Sequence, residues 1–441
     1  MKLDGLSLEQ APPISVPFRF FITAPIFGMI GALLLVTMGD TALASRWTPG
    51  MLAITHAWLL GFFAMVMFGA LLQMLPVLAG AVIGSPRMLA NLVLPLWSAG
   101  VIALQIAFLK GTPLLFMLAI SLLAAAVVVF VLFCGAALYR ATSQIDSVLG
   151  MKLALLSLVI TLLLGIMLGM GHAGWLALLR PIGTDVHAMW GLLGWIGLLV
   201  VSVSWQVVPM FQITASYPRT LVRLLAPVLF VFFLLRMAAV LLPSIFSELN
   251  QTPALIMLLL DIGISALLVL FATNTLWLQY RRKRKIRDSH TDYWRIGCVS
   301  LILVIFCWWL SQGFNESSVA EQLKLWSVVL FITGFVMSIM TGMLYKIVSF
   351  LVWFHLQAVN TQRMMAGESL IQVPHMKAVI SEKHTRIQLW VFLAALLSVP
   401  FALTWPVLGM LAGGLWLLHF GVMTVNLGSA ARRYRRVILG T

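Results

Sequence analysis

Long, uninterrupted apolar runs recur along the whole chain, each able to cross a hydrocarbon core of ~30 Å as a helix. Twelve are counted. The first five are Phe18 to Met38, Met51 to Leu75, Leu89 to Phe108, Leu114 to Leu138 and Leu153 to Met170. The next three are Val186 to Val208, Leu224 to Leu242 and Ala254 to Leu276. The last four are Ile296 to Leu310, Leu325 to Val348, Leu389 to Leu403 and Val407 to Val425. The runs are continuous rather than alternating, which excludes a closed β-barrel, and backbone in lipid must bond to itself. The expected fold class is therefore all-α: a polytopic membrane protein of about 12 transmembrane helices, read as one transmembrane domain over residues 1–441. Of the 441 residues, 62% are apolar and only 9% are Asp, Glu, Lys or Arg. A soluble domain carries about 25% charged residues. The shortage excludes a soluble enzyme, a disordered chain, a disulfide scaffold and a nucleic-acid partner. The expected partner is the lipid bilayer.

The charges that remain are unevenly placed. There are 28 Lys and Arg against 13 Asp and Glu, a net charge of +15. With the N-terminus inside, the inner loops hold Arg87, Arg140, Lys152, Arg219 and Arg223. They also hold the run Arg281, Arg282, Lys283, Arg284, Lys285, Arg287, then Arg363, Lys377, Lys383 and Arg386. The C-terminal tail adds Arg432, Arg433, Arg435 and Arg436. The outer loops have only Arg46, Lys110, Arg180 and Lys324, with Asp40, Asp185, Glu248, Glu316 and Glu321. This asymmetry predicts a bacterial-type cytoplasmic (inner) membrane protein with both termini cytoplasmic. Its longer cytoplasmic loops are expected at residues 279–295 and 354–388; His355, His375 and His384 in the second read as solvated surface. Asp4 and Glu9 precede the first run and no small-residue cleavage site follows it, so that run is expected to be retained. Cys134, Cys298 and Cys307 are far apart and lack a CxxC pair, which argues against disulfides and a cysteine metal site.

An internal echo divides the runs into three sets of four. Gly61, Gln73 and Pro76 in the second run recur at the same offsets as Gly194, Gln206 and Pro209 in the sixth. The tenth offers Thr333, Gly334, Tyr345 and Lys346 in that register, without a proline. Runs four apart suggest three quasi-repeats of four helices, over 18–140, 150–280 and 295–430. Chance recurrence of common membrane-helix residues is the plainer alternative.

Polar groups at membrane depth are costly and therefore candidates for function. His56 and His187 lie near the outer ends of the second and sixth runs, and His172 ends the fifth on the same side. Imidazole ligates heme iron and copper, so His56, His187 and His172 are candidate metal ligands; interfacial histidines bonded to loops or water are the plainer reading. His419 lies mid-way along the twelfth run and needs a partner inside the bundle, as a cofactor ligand or a hydrogen-bonded core residue. Arg236 and Asp261 suit a neutral structural pair. The sharper alternative is that Arg236 holds a carboxylate such as a heme propionate. Lys346 near the end of its run can snorkel to the interface. No P-loop, GxSxG or HExxH motif is present, so hydrolytic and ATP-driven chemistry has no support.

Phe18-Arg19-Phe20-Phe21, His56, Gly61-Phe62, Gly69, Leu71-Leu72, Pro76 and Gly80 together resemble the start of the NnrS family. That family comprises heme- and copper-containing membrane proteins linked to the nitric oxide response. The resemblance spans the first eighty residues or so; the family's second histidine near the helix-2 one and its C-terminal basic-glycine ending are absent. More widely, the chain resembles subunit I of heme-copper oxidases, with twelve helices in three quasi-repeats and metal-binding histidines near the outer ends of helices 2, 6 and 10. His56 and His187 match the first two. Between Leu224 and Leu242, Arg236 is the only ionisable residue, and the tenth run holds no histidine before His355. An oxygen-reducing binuclear centre is therefore not assembled as in that family. The resemblance implies a single heme b, with copper as a second candidate, and a role in nitric oxide or respiratory metabolism, without assigning a reaction. The alternatives are a proton-coupled secondary transporter using Arg236, Asp261 and Lys346, and a non-catalytic subunit or assembly factor of a respiratory complex. Possible protein partners are respiratory subunits or a second copy.

Overall fold

In the computed structural model, the residues described are 10–141, 146–177, 181–245, 254–282, 288–314 and 317–439. Asp4, Glu9, Arg180, Glu248, Lys283, Arg284, Lys285, Arg287 and Glu316, invoked above, lie outside them. Among the described residues, twelve helices are long and apolar enough to span a membrane, and every regular element is helical. They are α1 (Ser15–Leu43), α2 (Pro49–Ala79), α3 (Pro86–Lys110), α4 (Pro113–Arg140), α5 (Ser147–His172) and α6 (Ile182–Gln212). The second half comprises α7 (Arg219–Leu242), α8 (Ala254–Tyr280), α9 (Ser289–Gln312), α10 (Ser318–Met365), α11 (Glu382–Thr404) and α12 (Pro406–Leu439). The chain is a multi-pass, all-α membrane protein.

Several helices are longer than their apolar runs. α9 starts at Ser289, seven residues before the expected Ile296, and α10 continues from Val348 to Met365. Much of the two expected loops is thus helical. Asp288 accepts from the His290 backbone N–H at 3.1 Å and starts α9; Ser381 accepts from the His384 N–H at 3.4 Å and starts α11. These side-chain oxygens satisfy first-turn donors that have no partner within the helix. Hydrophobicity marks only the part of a helix that touches lipid or core, so it is blind to such polar extensions.

The chain folds as two compact units. The first comprises Met1–Ala11, Met74–Lys285 and Cys298–Val336. In it α3 packs on α4, α5 on α6, and α7 on α8. The second comprises Pro12–Gln73, Ile286–Gly297 and Met337–Thr441; there α1 packs on α2 and α12, and α12 also packs on α11 and the later part of α10.

Three helices carry π-helical turns: Ala57–Ala64 in α2, Trp190–Gly197 in α6 and Phe331–Val336 in α10. Each contains the register glycine noted above, Gly61, Gly194 or Gly334. The same three helices are the most buried of the twelve, with 94, 67 and 78% of their apolar windows inside the protein. A π-turn widens the helix by one residue and re-aims the side chains preceding it, and such turns often accompany functional sites.

Candidate functional site

His56 immediately precedes the first π-turn. Its Nδ1 lies 2.8 Å from the Leu52 carbonyl, one helical turn back. A carbonyl only accepts, so Nδ1 is the protonated nitrogen and Nε2 carries the lone pair. His187 shortly precedes the second π-turn and does the same across helices, with Nδ1 3.1 Å from the Thr161 carbonyl of α5. Room for its ring comes from Gly165, where a Cβ would stand 3.1 Å from His187 Cε1. A carbonyl-anchored Nδ1–H is the arrangement that fixes the tautomer and orientation of metal-ligating histidines.

The other two histidine candidates are held differently. His172 stacks on Phe116, with centroids 5.3 Å apart, and meets Phe108 edge-on at 5.6 Å. His419 is fully buried between Trp416, Phe392 and Phe420. The Gln388 amide nitrogen donates to the His419 carbonyl at 2.8 Å and to its Nδ1 at 2.7 Å. Nδ1 is therefore the acceptor and Nε2 bears the hydrogen. As bonded, His419 offers no lone pair on Nε2 for a metal, which separates it chemically from His56 and His187.

His187 and His172 belong to the first unit, His56 and His419 to the second. Among the described residues no three His, Cys, Asp or Glu side chains gather in a metal-holding group. A heme needs only one or two axial nitrogens, and His56 and His187 each have the anchored tautomer that suits one. A copper site built from three such ligands finds no set among the described residues. Arg236 Nε donates to Asp261 Oδ1 at 2.9 Å, and Nη1 lies 3.5 Å from the Met257 sulfur. The guanidinium thus already holds one carboxylate, that of α8.

Sequence reasoning passed over a polar cleft in the second unit. The Lys346 ammonium lies 2.9 Å from Asp288 Oδ2, just ahead of α9, with the two side chains only 13 and 19% exposed. Asp288 thus caps α9 with one oxygen and pairs with Lys346 through the other. Burial by itself would raise the Asp288 carboxyl, but the Lys346 ammonium and His290 outweigh it and hold the group below the ordinary carboxylate range. His290 Nδ1 donates to the Gly342 carbonyl at 3.1 Å. Glu382 Oε1 accepts from the Ser289 backbone N–H at 2.9 Å and from Arg386 at 3.0 Å, and Arg386 also reaches Asp292 at 2.8 Å. The cleft holds about 40 Å³, room for a few water molecules and far too little for a porphyrin. The readable signal was Asp288-Ser289 ahead of an apolar run, a helix-start pattern.

The chain matches no protein-family model and no curated protein.

Proposed function

We propose that this protein binds heme b in the membrane through outer-side histidines and serves nitric oxide or respiratory metabolism, as a degenerate relative of heme-copper oxidase subunit I with an NnrS-like start. The observation that carries this reading is the shared anchoring of His56 and His187 by Nδ1. Each donates Nδ1–H to a backbone carbonyl close ahead of a π-turn, in two helices four apart. A histidine anchored in that way has Nε2 as its basic nitrogen, which is what axial ligation asks of a histidine. Heme would supply redox or diatomic-gas chemistry; the chain's own contribution is to orient the ligating imidazole by its backbone anchor. Copper enters the proposal only as an additional ion. The positive-inside asymmetry supports an inner-membrane location with both termini cytoplasmic.

Absorption spectroscopy of the purified protein tests this. A Soret band is expected, weakened or shifted in His56→Ala and in His187→Ala. No band in the wild-type protein, or a band unchanged in both variants, overturns the reading.

One observation favours a second reading, a proton-coupled transporter: Lys346 and Asp288 form a mostly buried ion pair inside a membrane-embedded unit. Ion pairs at such sites serve coupling in transporters. Solute uptake by vesicles that is abolished in Asp288→Asn supports it; uptake unchanged in that variant dismisses it.

A further inference from the structure

The second unit buries more polar atoms than its side chains can satisfy. Tyr293, Thr341, Gln388, Trp416 and His419 are all essentially inaccessible, at 5% or less exposure. Tyr293 Oη, Thr341 Oγ1, Gln388 Oε1, Trp416 Nε1 and His419 Nε2 nevertheless receive no hydrogen bond from the protein. An unsatisfied buried polar group costs about 1–3 kcal/mol, and protein interiors ordinarily satisfy such groups with protein atoms or ordered water.

Most of these residues are gathered around Phe392. Tyr293 packs against Gly342, where a Cβ would stand 2.7 Å from the Tyr293 Cβ, and Thr341 is the residue before. The Tyr293 ring lies 5.4 Å from Phe392, which in turn lies 5.5 Å from His419 and 6.0 Å from Trp416. Gln388 is bonded to His419. At the other end, His290 is bonded to the Gly342 carbonyl, and Asn426 donates to Tyr345 Oη at 3.1 Å beside Lys346. The unsatisfied groups thus flank the Phe392 ring, and His290 and Gly342 link Tyr293 to the Asp288–Lys346 cleft, which sets out a line from the cleft past Tyr293 and Thr341 to Gln388 and His419.

We propose that this line binds a chain of internal water molecules, a hydrated inlet that begins at the Asp288–Lys346 cleft and ends at the His419 imidazole. Water suits the site because donors and acceptors alternate in kind: hydroxyls of Tyr293 and Thr341, the carbonyl oxygen of Gln388, and N–H groups of Trp416 and His419. Buried water ordinarily makes about three bonds to such groups. The inference needs no heme and is independent of the reading above.

Synchrotron hydroxyl-radical footprinting of the full-length protein in detergent tests it, with mass-spectrometric detection of oxygen taken from isotope-labelled water. Tyr293 and Trp416 are expected to be labelled well above Trp190. Trp190 is equally buried, but its indole N–H is bonded to the Met237 sulfur at 3.2 Å. Labelling of Tyr293 and Trp416 at the Trp190 level overturns the proposal. Tyr293→Phe keeps the ring and removes one link, so Trp416 labelling is expected to fall toward the Trp190 level. Undiminished labelling there overturns the continuous inlet from the cleft. If that variant does not fold, the wild-type comparison decides alone.

Discussion

Removing Lys346 should cost more than removing Lys346 and Asp288 together costs per residue. The ammonium and carboxylate lie 2.9 Å apart, so their attraction at an effective dielectric of ~20 is about 6 kcal/mol before desolvation. Taking two ions out of water cancels most of that, and the intact pair adds little net stability. Breaking it is different. In Lys346→Met the Asp288 carboxylate stays largely buried, with its cap bond to the His290 backbone as compensation. The expected loss is about 3 kcal/mol. Asp288→Asn keeps a cap acceptor but strands the ammonium, at a similar cost. The double variant should be less damaged than the sum, giving a coupling energy of about 2 kcal/mol. Unfolding in mixed detergent–SDS micelles, followed by tryptophan fluorescence, measures all four corners of the cycle. The pH dependence has a definite sign. Asp288 titrates lower in the folded protein than in the unfolded chain, so its contribution is full above the unfolded carboxylate range and is lost as pH falls through the folded value. The coupling should therefore persist at neutral pH and disappear in strong acid. Additive single variants at neutral pH, with coupling below about 0.5 kcal/mol, would refute the reasoning.

Other consequences are equally direct. Gly342→Val forces a side chain onto Tyr293, whose Cβ would be only 2.7 Å from the new Cβ, and should cost about 1–3 kcal/mol by overpacking in the same unfolding assay. Gly165→Val crowds His187 Cε1 at 3.1 Å, so if the proposed heme binds at His187 the Soret band should shift, while Gly414→Val, where a Cβ meets open space, should leave it unchanged. Gln388→Leu removes both hydrogen bonds to His419 and leaves the ring's Nδ1 buried without a donor, for an expected loss of about 1–3 kcal/mol; stability equal to wild type would show that Gln388 is dispensable. Arg236→Gln leaves Asp261 without its 2.9 Å partner and should destabilise more than the double variant with Asp261→Asn.

What the linear chain determined is the part governed by solvent. Helices facing lipid must be apolar for a bilayer's thickness and must close their own backbone bonds, so count, class and approximate placement of the twelve spans follow from runs of apolar residues. The register of Gly61, Gly194 and Gly334 was readable as well, although that each sits in a π-turn was not, because the extra backbone residue per turn leaves no compositional mark. Polar partners were decided only by tertiary packing. Asp288 and Lys346 are 58 positions apart, Gln388 and His419 are 31, and His187 meets Thr161 across 26. A side-chain bond depends on which helix faces lie together, and hydropathy carries no information about rotation of one helix against another. The same limit explains why a ligand and a hydrogen-bonded reading stayed open for each of the four histidines. Protonation on Nδ1 at His56 and His187, and on Nε2 at His419, is set by a carbonyl or an amide that only the folded bundle brings within reach.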